Sequence, residues 1–442
     1  MSSKRINYSK LSREDRIQSL VQLGYLNADQ AQSLINNQGL SAQLADQMIE
    51  NAVGSYGLPL GFVPQLIVNH QDYLIPMATE EASVIAAASF GSQIINRNGG
   101  CQAEVTQSLL TGQIAFYGFD PQDEDRLTEF VNQDQDRLLA LANQVKPSLL
   151  ARGGGARHIY TTFKGEASQG TRFFILYLDL DSQEAMGANT MNTILEVLKD
   201  ELVARFQDQI NPEIQALMAI LSNYSPQSLV TASCQIKGRQ LKGGGLKGGQ
   251  VAQRIALASQ LAQVDRYRAT THNKGIMNGI DALVLATGND WRAVEAGIHA
   301  YASQDGHYRG LAQWSYDGEA DLLTGQITLP LTLGTVGGSI ANHPQAQINL
   351  DLLGRPTSQE LMMVVAGLAL AQNLAALRAL VAEGIQAGHM SLQYRNLALQ
   401  VGAQDQEVAE LAQALKDSQI PVSQDLARQI LADMRAKQED KS

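Results

Sequence analysis

Apolar and polar positions follow two different periods along the chain, and each change of period marks an element. Residues 9–50 carry apolar positions at helical spacing, with cap-like openings at Ser12-Arg13-Glu14-Asp15 and Asn27-Ala28-Asp29. A Gly/Pro-punctuated stretch, residues 50–64, then leads into the apolar segment 65–68. MATEEASVIAAASFGSQII, from Met77, reads as a turn opening a helix of small residues, suited to close packing. Residues 103–118 and 157–180 alternate apolar and polar in short runs, and RFFILYLDL, residues 172–180, is the clearest strand. Residues 122–145 are helical and acidic, and 188–206 read as an amphipathic helix. The block 105–215 is therefore expected to be a compact α+β unit of strands and two helices. A long helical pattern returns over 357–387 and ends near Gly388; beyond 402 a polar tail holds one or two amphipathic helices.

The segment THNKGIMNGIDALVLATGNDWR, residues 271–292, is the most informative. Its Gly and Asn content places Lys274 in a turn, the apolar run 282–286 reads as a buried strand, and TGND is a second turn ending in Asp290. Charged residues at such boundaries are expected to serve a site.

Composition narrows the function classes. With 442 residues, 44% hydrophobic and 17% charged, the chain is long enough for two or three domains with a full core. A net charge of −11 argues against general nucleic-acid binding, which needs a basic face, though not against a local basic pocket. Two cysteines, Cys101 and Cys234, fit a reducing cytoplasm better than a disulfide framework. The polar start MSSKRINYSKLSREDR lacks a signal-peptide core, and the apolar run 361–371 stops at Gln372-Asn373, short of a bilayer span. A cytoplasmic protein without a membrane segment is expected. No strand is followed by G-x-G-x-x-G, so a Rossmann unit is not supported. GGGAR at 153–157 and GGGLKGG at 243–249 fail the spacing of a phosphate loop, and the second reads as a flexible loop.

Four side chains could do chemistry: Glu81, Lys274, Asp290 and His389. Each has an ordinary explanation when taken singly. A Lys and an Asp can form a structural ion pair, Glu80-Glu81 can answer a helix dipole, and His389 can close a helix C-terminus. HNKGIMNGIDA and ATGNDWRA, however, closely resemble the catalytic core of the class II (bacterial-type) hydroxymethylglutaryl-CoA reductases, and the similarity extends over at least residues 45–400. In that family all four residues fall at catalytic positions.

The resemblance implies a discontinuous large substrate-binding and dimerisation domain, 1–104 with 216–375. It implies a small ferredoxin-like, non-Rossmann coenzyme domain at 105–215 and a helical C-terminal flap at 376–442. The implied reaction reduces the thioester of hydroxymethylglutaryl-CoA to mevalonate and CoA with two hydrides, in a homodimer whose active site lies at the interface. Lys274 is then the fixed cation for the oxygen that becomes negative, Glu81 the proton-bearing carboxyl group, and Asp290 the partner that keeps Lys274 charged. His389 on the flap protonates the departing CoA thiolate. A second histidine common four residues later in relatives is Gln393 here. Ser83 and Arg268 match contacts to the acyl portion and its carboxylate. Asn278 and Gln372 match polar residues of the cleft, although either could simply satisfy backbone groups. Glu50-Asn51 matches an interface stretch, with Ala52 where a larger aliphatic is usual.

For the coenzyme, EAMGANTMN at 184–192 matches a family motif usually written DAMG, which implies contacts from Glu184, Met186, Gly187 and Asn189, with Asn223 added from a following loop. NADH-using relatives carry an Asp where this chain has Lys146, with Arg152 and Arg157 near it in sequence. A cation there favours a 2′-phosphate, so NADPH is expected over NADH, and no metal is required. The competing readings are a degradative enzyme oxidising mevalonate with NAD, a non-catalytic acyl-CoA-binding homologue, and a dehydrogenase for another acyl-CoA.

Overall fold

The computed structural model describes residues 6–166, 170–384, 394–404, 406–418 and 420–439. Ten strands make three sheets: β1 (Leu60–Val68) with β2 (Gln71–Ala78); β3 (Gln102–Val105), β8 (Leu229–Lys237), β10 (Leu322–Pro330) and β9 (Ala312–Asp317) in that order; and β5 (Gly155–Lys164), β6 (Phe173–Asp181), β4 (Leu110–Tyr117) and β7 (Gln215–Leu221). Every pairing is antiparallel.

The third sheet belongs to a β-α-β-β-α-β unit. Helices Glu124–Gln133 and Gln135–Val145 join β4 to β5, and Ala188–Gln209 joins β6 to β7, with the first and third strands central. That is the ferredoxin-like order, and an antiparallel sheet cannot be a Rossmann unit. Its own core runs from Leu110 to Ile214, with Phe116, Phe174 and Phe206 fully buried and in mutual contact. β7 begins at Gln215 and runs beyond the expected boundary to Leu221, because the last strand of the unit must return to pair with β4 after the long helix.

The larger core packs β1, β2 and the second sheet against helices Val84–Asn96, Gly248–Val264, Arg266–Ala286 and Ser358–Val381. The last of these carries on through Gln372-Asn373, where the apolar run was expected to stop, and ends at Val381, short of the helical pattern's expected end at 387. By length and composition it could cross a bilayer, but 72% of its apolar window is buried inside the protein. Its buried Asn373 is satisfied inside, Oδ1 accepting from Trp314 Nε1 at 2.8 Å, and Thr357 with Glu360 closes a capping box at its exposed start. Gly91 lets the Val84–Asn96 helix approach it so closely that a Cβ there would lie 2.0 Å from the Ala371 carbonyl oxygen.

Three expectations change. Residues 282–286 are the last turns of a 21-residue helix, Arg266–Ala286, and Lys274 lies within that helix, not in a turn. The Asn and Gly residues that signalled a turn are there for packing. Asn273 is buried and bonds the Arg309 carbonyl and the Leu311 amide, and Gly279 lies against Gln372. GGGLKGG is not a loose loop: Gly243 and Gly244 press on Arg378 and Ala382, and Gly248 opens a helix. The polar tail forms a separate small cluster around Leu411, Leu415 and Leu431.

Candidate active site

Glu81 lies in the tight connection between β2 and the Val84–Asn96 helix. Its amide donates to Thr79 Oγ1 at 3.2 Å, and Ser83 takes a left-handed conformation (φ 75°) to start the helix. Lys274 projects from the Arg266–Ala286 helix, whose N-terminus is capped by Asp265 accepting from the Arg268 amide. The two side chains meet, with Lys274 Nζ 2.6 Å from Glu81 Oε2, and both are open to solvent (61% and 42% exposed).

On the Lys274 helix and on the Ser358–Val381 helix packed in the same core, the fold leaves polar groups unmet. Arg268 Nε, His272 Nδ1 and Gln372 Oε1 are buried without a hydrogen-bond partner. Burial lowers the pKa of the Arg268 guanidinium, and burial followed by the Arg268 charge pushes His272 down to about 4, so that imidazole is neutral. Leaving such a group unsatisfied costs about 1–3 kcal/mol, and orphans of this kind gather where a ligand completes them. Arg268, with a charged fork and an unmet donor, fits a carboxylate. Asn278, one turn on from Lys274, shares its face of the helix.

Asp290 is elsewhere. It caps the Trp291–Tyr301 helix, accepting from the Arg292 and Ala293 amides at 3.1 Å, with the Arg292 guanidinium 3.6 Å away. Lys274 lies twelve residues before the C-terminus of its helix, roughly 18 Å along the axis at 1.5 Å per residue, and Asp290 begins beyond that end. Among the described residues no ion pair joins the two. His389 and Gln393 lie outside the described residues.

What Asp290 does adjoin is the EAMG loop. Its neighbour Asn289 exchanges two hydrogen bonds with the Gly334 backbone (3.0 and 2.8 Å), and a Cβ on Gly334 would lie 2.7 Å from the Met186 amide. Ala185 bridges Val336, and the Thr335 amide donates to the Glu184 carbonyl. Asn223, exposed after β7, sets its carbonyl against Gly297 of the Asp290-capped helix, while Leu221 is bonded to Asn192.

The same loop fits an anionic dinucleotide. Gly187 (φ 91°) begins the Ala188–Gln209 helix, which has no side-chain cap and no carboxylate in its first turn; Asn189 is exposed there. Open backbone amides at a helix start suit a diphosphate. Lys146, at the joint between two helices, makes no ion pair among the described residues, whereas Arg157 is held by Asp181 at 3.0 Å. Among the described residues no group of side chains could hold a metal ion.

Glu184 has a role the sequence did not show. Its Oε2 accepts from Thr335 Oγ1 (3.0 Å) and from the Ser358 amide (2.7 Å), so it helps cap the buried Ser358–Val381 helix. The signal lies in partners more than 150 residues away in the chain, invisible to local pattern.

Residues 12–394 match the family model described as hydroxymethylglutaryl-coenzyme A reductase. The 3-hydroxy-3-methylglutaryl-coenzyme A reductase of Archaeoglobus fulgidus is 38% identical, covering 99% of this chain and 96% of that protein. A solved 3-hydroxy-3-methylglutaryl-coenzyme A reductase from Streptococcus pneumoniae superposes with a TM-score of 0.80 at 45% identity, covering 97% of this chain and 99% of that one. The class II reductase of the same organism bound to NADPH in open conformations gives 0.79 at 46% identity, over 85% and 98%.

Replacing Glu184 with Ala should lower unfolding free energy by about 0.5–2 kcal/mol, the usual worth of a helix cap. Chemical denaturation with coenzyme titration checks this: weaker coenzyme binding at unchanged stability would make Glu184 a direct ligand contact instead.

Proposed function

The chain belongs to the hydroxymethylglutaryl-CoA reductase family, and we propose that it works as a cytoplasmic homodimer reducing hydroxymethylglutaryl-CoA to mevalonate and CoA with two NADPH, in the isoprenoid-forming direction. The observation that carries this reading is the Lys274–Glu81 contact, with the unmet Arg268 on the same helix as Lys274.

NADPH, when bound, supplies hydride to one carbon twice. Each addition makes that carbon's oxygen negative, and Lys274 is the donor fixed beside it. A preorganised donor of this kind contributes about 3–4 kcal/mol. Glu81, in contact with Lys274, delivers the proton that the oxygen needs. Arg268 and Ser83 orient the acyl carboxylate. His389 of the flap segment would protonate the CoA sulfur as it leaves between the two steps, so that thioester, two hydrides and their protons give alcohol and free thiol.

The Asp290 half belongs, in this reading, to the neighbouring subunit. Helix Arg266–Ala286 holds the acyl-binding groups near one end and leads to Asp290 and the coenzyme loop at the other, so a two-fold partner is needed to bring one half onto the other. Apolar side chains left in solvent support such a partner: Val53, Tyr56, Val264 and Tyr267 are almost fully exposed, the last two flanking the start of the Lys274 helix. The two cores and the separate tail cluster support a coenzyme unit, a substrate unit around it and a C-terminal flap, with the bounds moved from 215 to the end of β7 at Leu221 and from 376 to beyond Val381.

NADPH preference rests on Lys146, whose ammonium is uncommitted; NADH remains the poorer donor. Retention of Lys, Glu and Asp together disfavours a mere acyl-CoA binder.

Two outcomes are expected. Purified enzyme should consume two NADPH per thioester, and Lys274→Ala should lower kcat at least about 10²-fold while still binding acyl-CoA; one NADPH consumed, or turnover unchanged in the variant, contradicts the scheme. Lys146→Asp should raise KM for NADPH far more than KM for NADH in the same spectrophotometric assay, and equal effects on both would remove the charge argument.

A further inference from the structure

Farther along the Lys274 helix lies a second polar network that the reaction does not use. Asp281, two turns beyond Lys274 on the same face, hydrogen-bonds Glu295 of the Trp291–Tyr301 helix. Glu295 Oε2 lies 2.9 Å from His299 Nε2, and His299 Nδ1 lies 2.7 Å from the Tyr308 hydroxyl. Tyr308 in turn lies close to Asn273, the residue before Lys274. The path thus leaves the Lys274 helix at residue 281, crosses the helix that Asp290 caps, and returns beside Lys274.

One Asp281 carboxyl oxygen is buried with no donor. Two carboxylates in contact would repel, and the buried oxygen would stay unmet; a neutral acid donating to a Glu295 carboxylate fits both facts. We propose that Asp281 and Glu295 share one proton, and that this pair, continued through His299 and Tyr308, is a positioning device holding the turn that bears Lys274 against the helix capped by Asp290. Burial, then the Glu295 contact and charge, raises the Asp281 pKa to about 8, above its ordinary 3.8. Other charged groups on the elements packed against this helix are engaged elsewhere: Asp72 of β2 with Gln65, Arg254 with the Val381 carbonyl, Asp351 with Arg355, Glu360 with Thr357 and Arg378 with the Lys242 carbonyl. The Val84–Asn96 helix carries no charged residue.

Because the folded acid holds its proton above its unfolded value, the stability this gives is complete below about pH 4 and is lost as pH rises through about 8. The functional consequence rests on the reductase reading, so the test has a limb independent of turnover. Infrared difference spectra of wild type against Asp281→Asn at pH 7 should show the carbonyl band of one protonated carboxyl group, lost as pH rises through 8. No such band overturns the proposal whether or not the enzyme turns over. In activity, wild-type kcat should fall above pH 8 by about tenfold per unit, while Asp281→Asn, which keeps a neutral donor, should retain kcat at pH 7 and lose that limb. An unchanged limb in Asp281→Asn also overturns it. Should that variant not fold, Glu295→Gln removes the negative neighbour and must move the infrared titration to lower pH; an unmoved titration counts against the pair.

Discussion

The contact between Lys274 and Glu81 is the constraint from which the rest follows. It joins positions 193 residues apart, in the open, where an ion pair contributes about 0–1 kcal/mol. So weak a bond cannot hold its own geometry. The fold imposes it, by packing the Lys274 helix on β2 and on the buried Ser358–Val381 helix, with Gly91 and Gly279 leaving the space that close approach requires. An exposed cation and carboxylate held by so much buried structure are better explained by chemistry than by stability.

That packing also divides the machinery. The N-terminal half of the Lys274 helix carries Arg268 and the Lys274–Glu81 contact; the other end leads to Asp290, and through Asn289 and Gly334 to the EAMG loop. Glu184 ties the EAMG loop to the start of the buried Ser358–Val381 helix.

Much of this was legible in the sequence, but unevenly. The strand at 173–181, the paired helices of the small unit and the caps at Ser12 and Asn27 are written in local periodicity and turn chemistry, and the structure keeps them. The chemical residues were readable only because whole motifs carry a family resemblance; singly, Lys274 or Glu81 says little. Local pattern failed where a polar or small residue serves a distant neighbour. Asn273 and Gly279 looked like turn formers because their partners, Arg309, Leu311 and Gln372, are far along the chain. The cap that Glu184 gives the Ser358–Val381 helix was hidden for the same reason, and the Asp281–Glu295 pair left no trace in spacing.

The central claim is that Lys274 of one subunit works with Asp290 of the other, and subunit mixing tests it most directly. Lys274→Ala and Asp290→Ala homodimers, each inactive alone, should regain activity when dissociated and reassembled together, since each mixed dimer then holds one site with both wild-type residues. Mixtures that form mixed dimers yet stay as inactive as their parents would place both residues in one subunit's site and contradict the account.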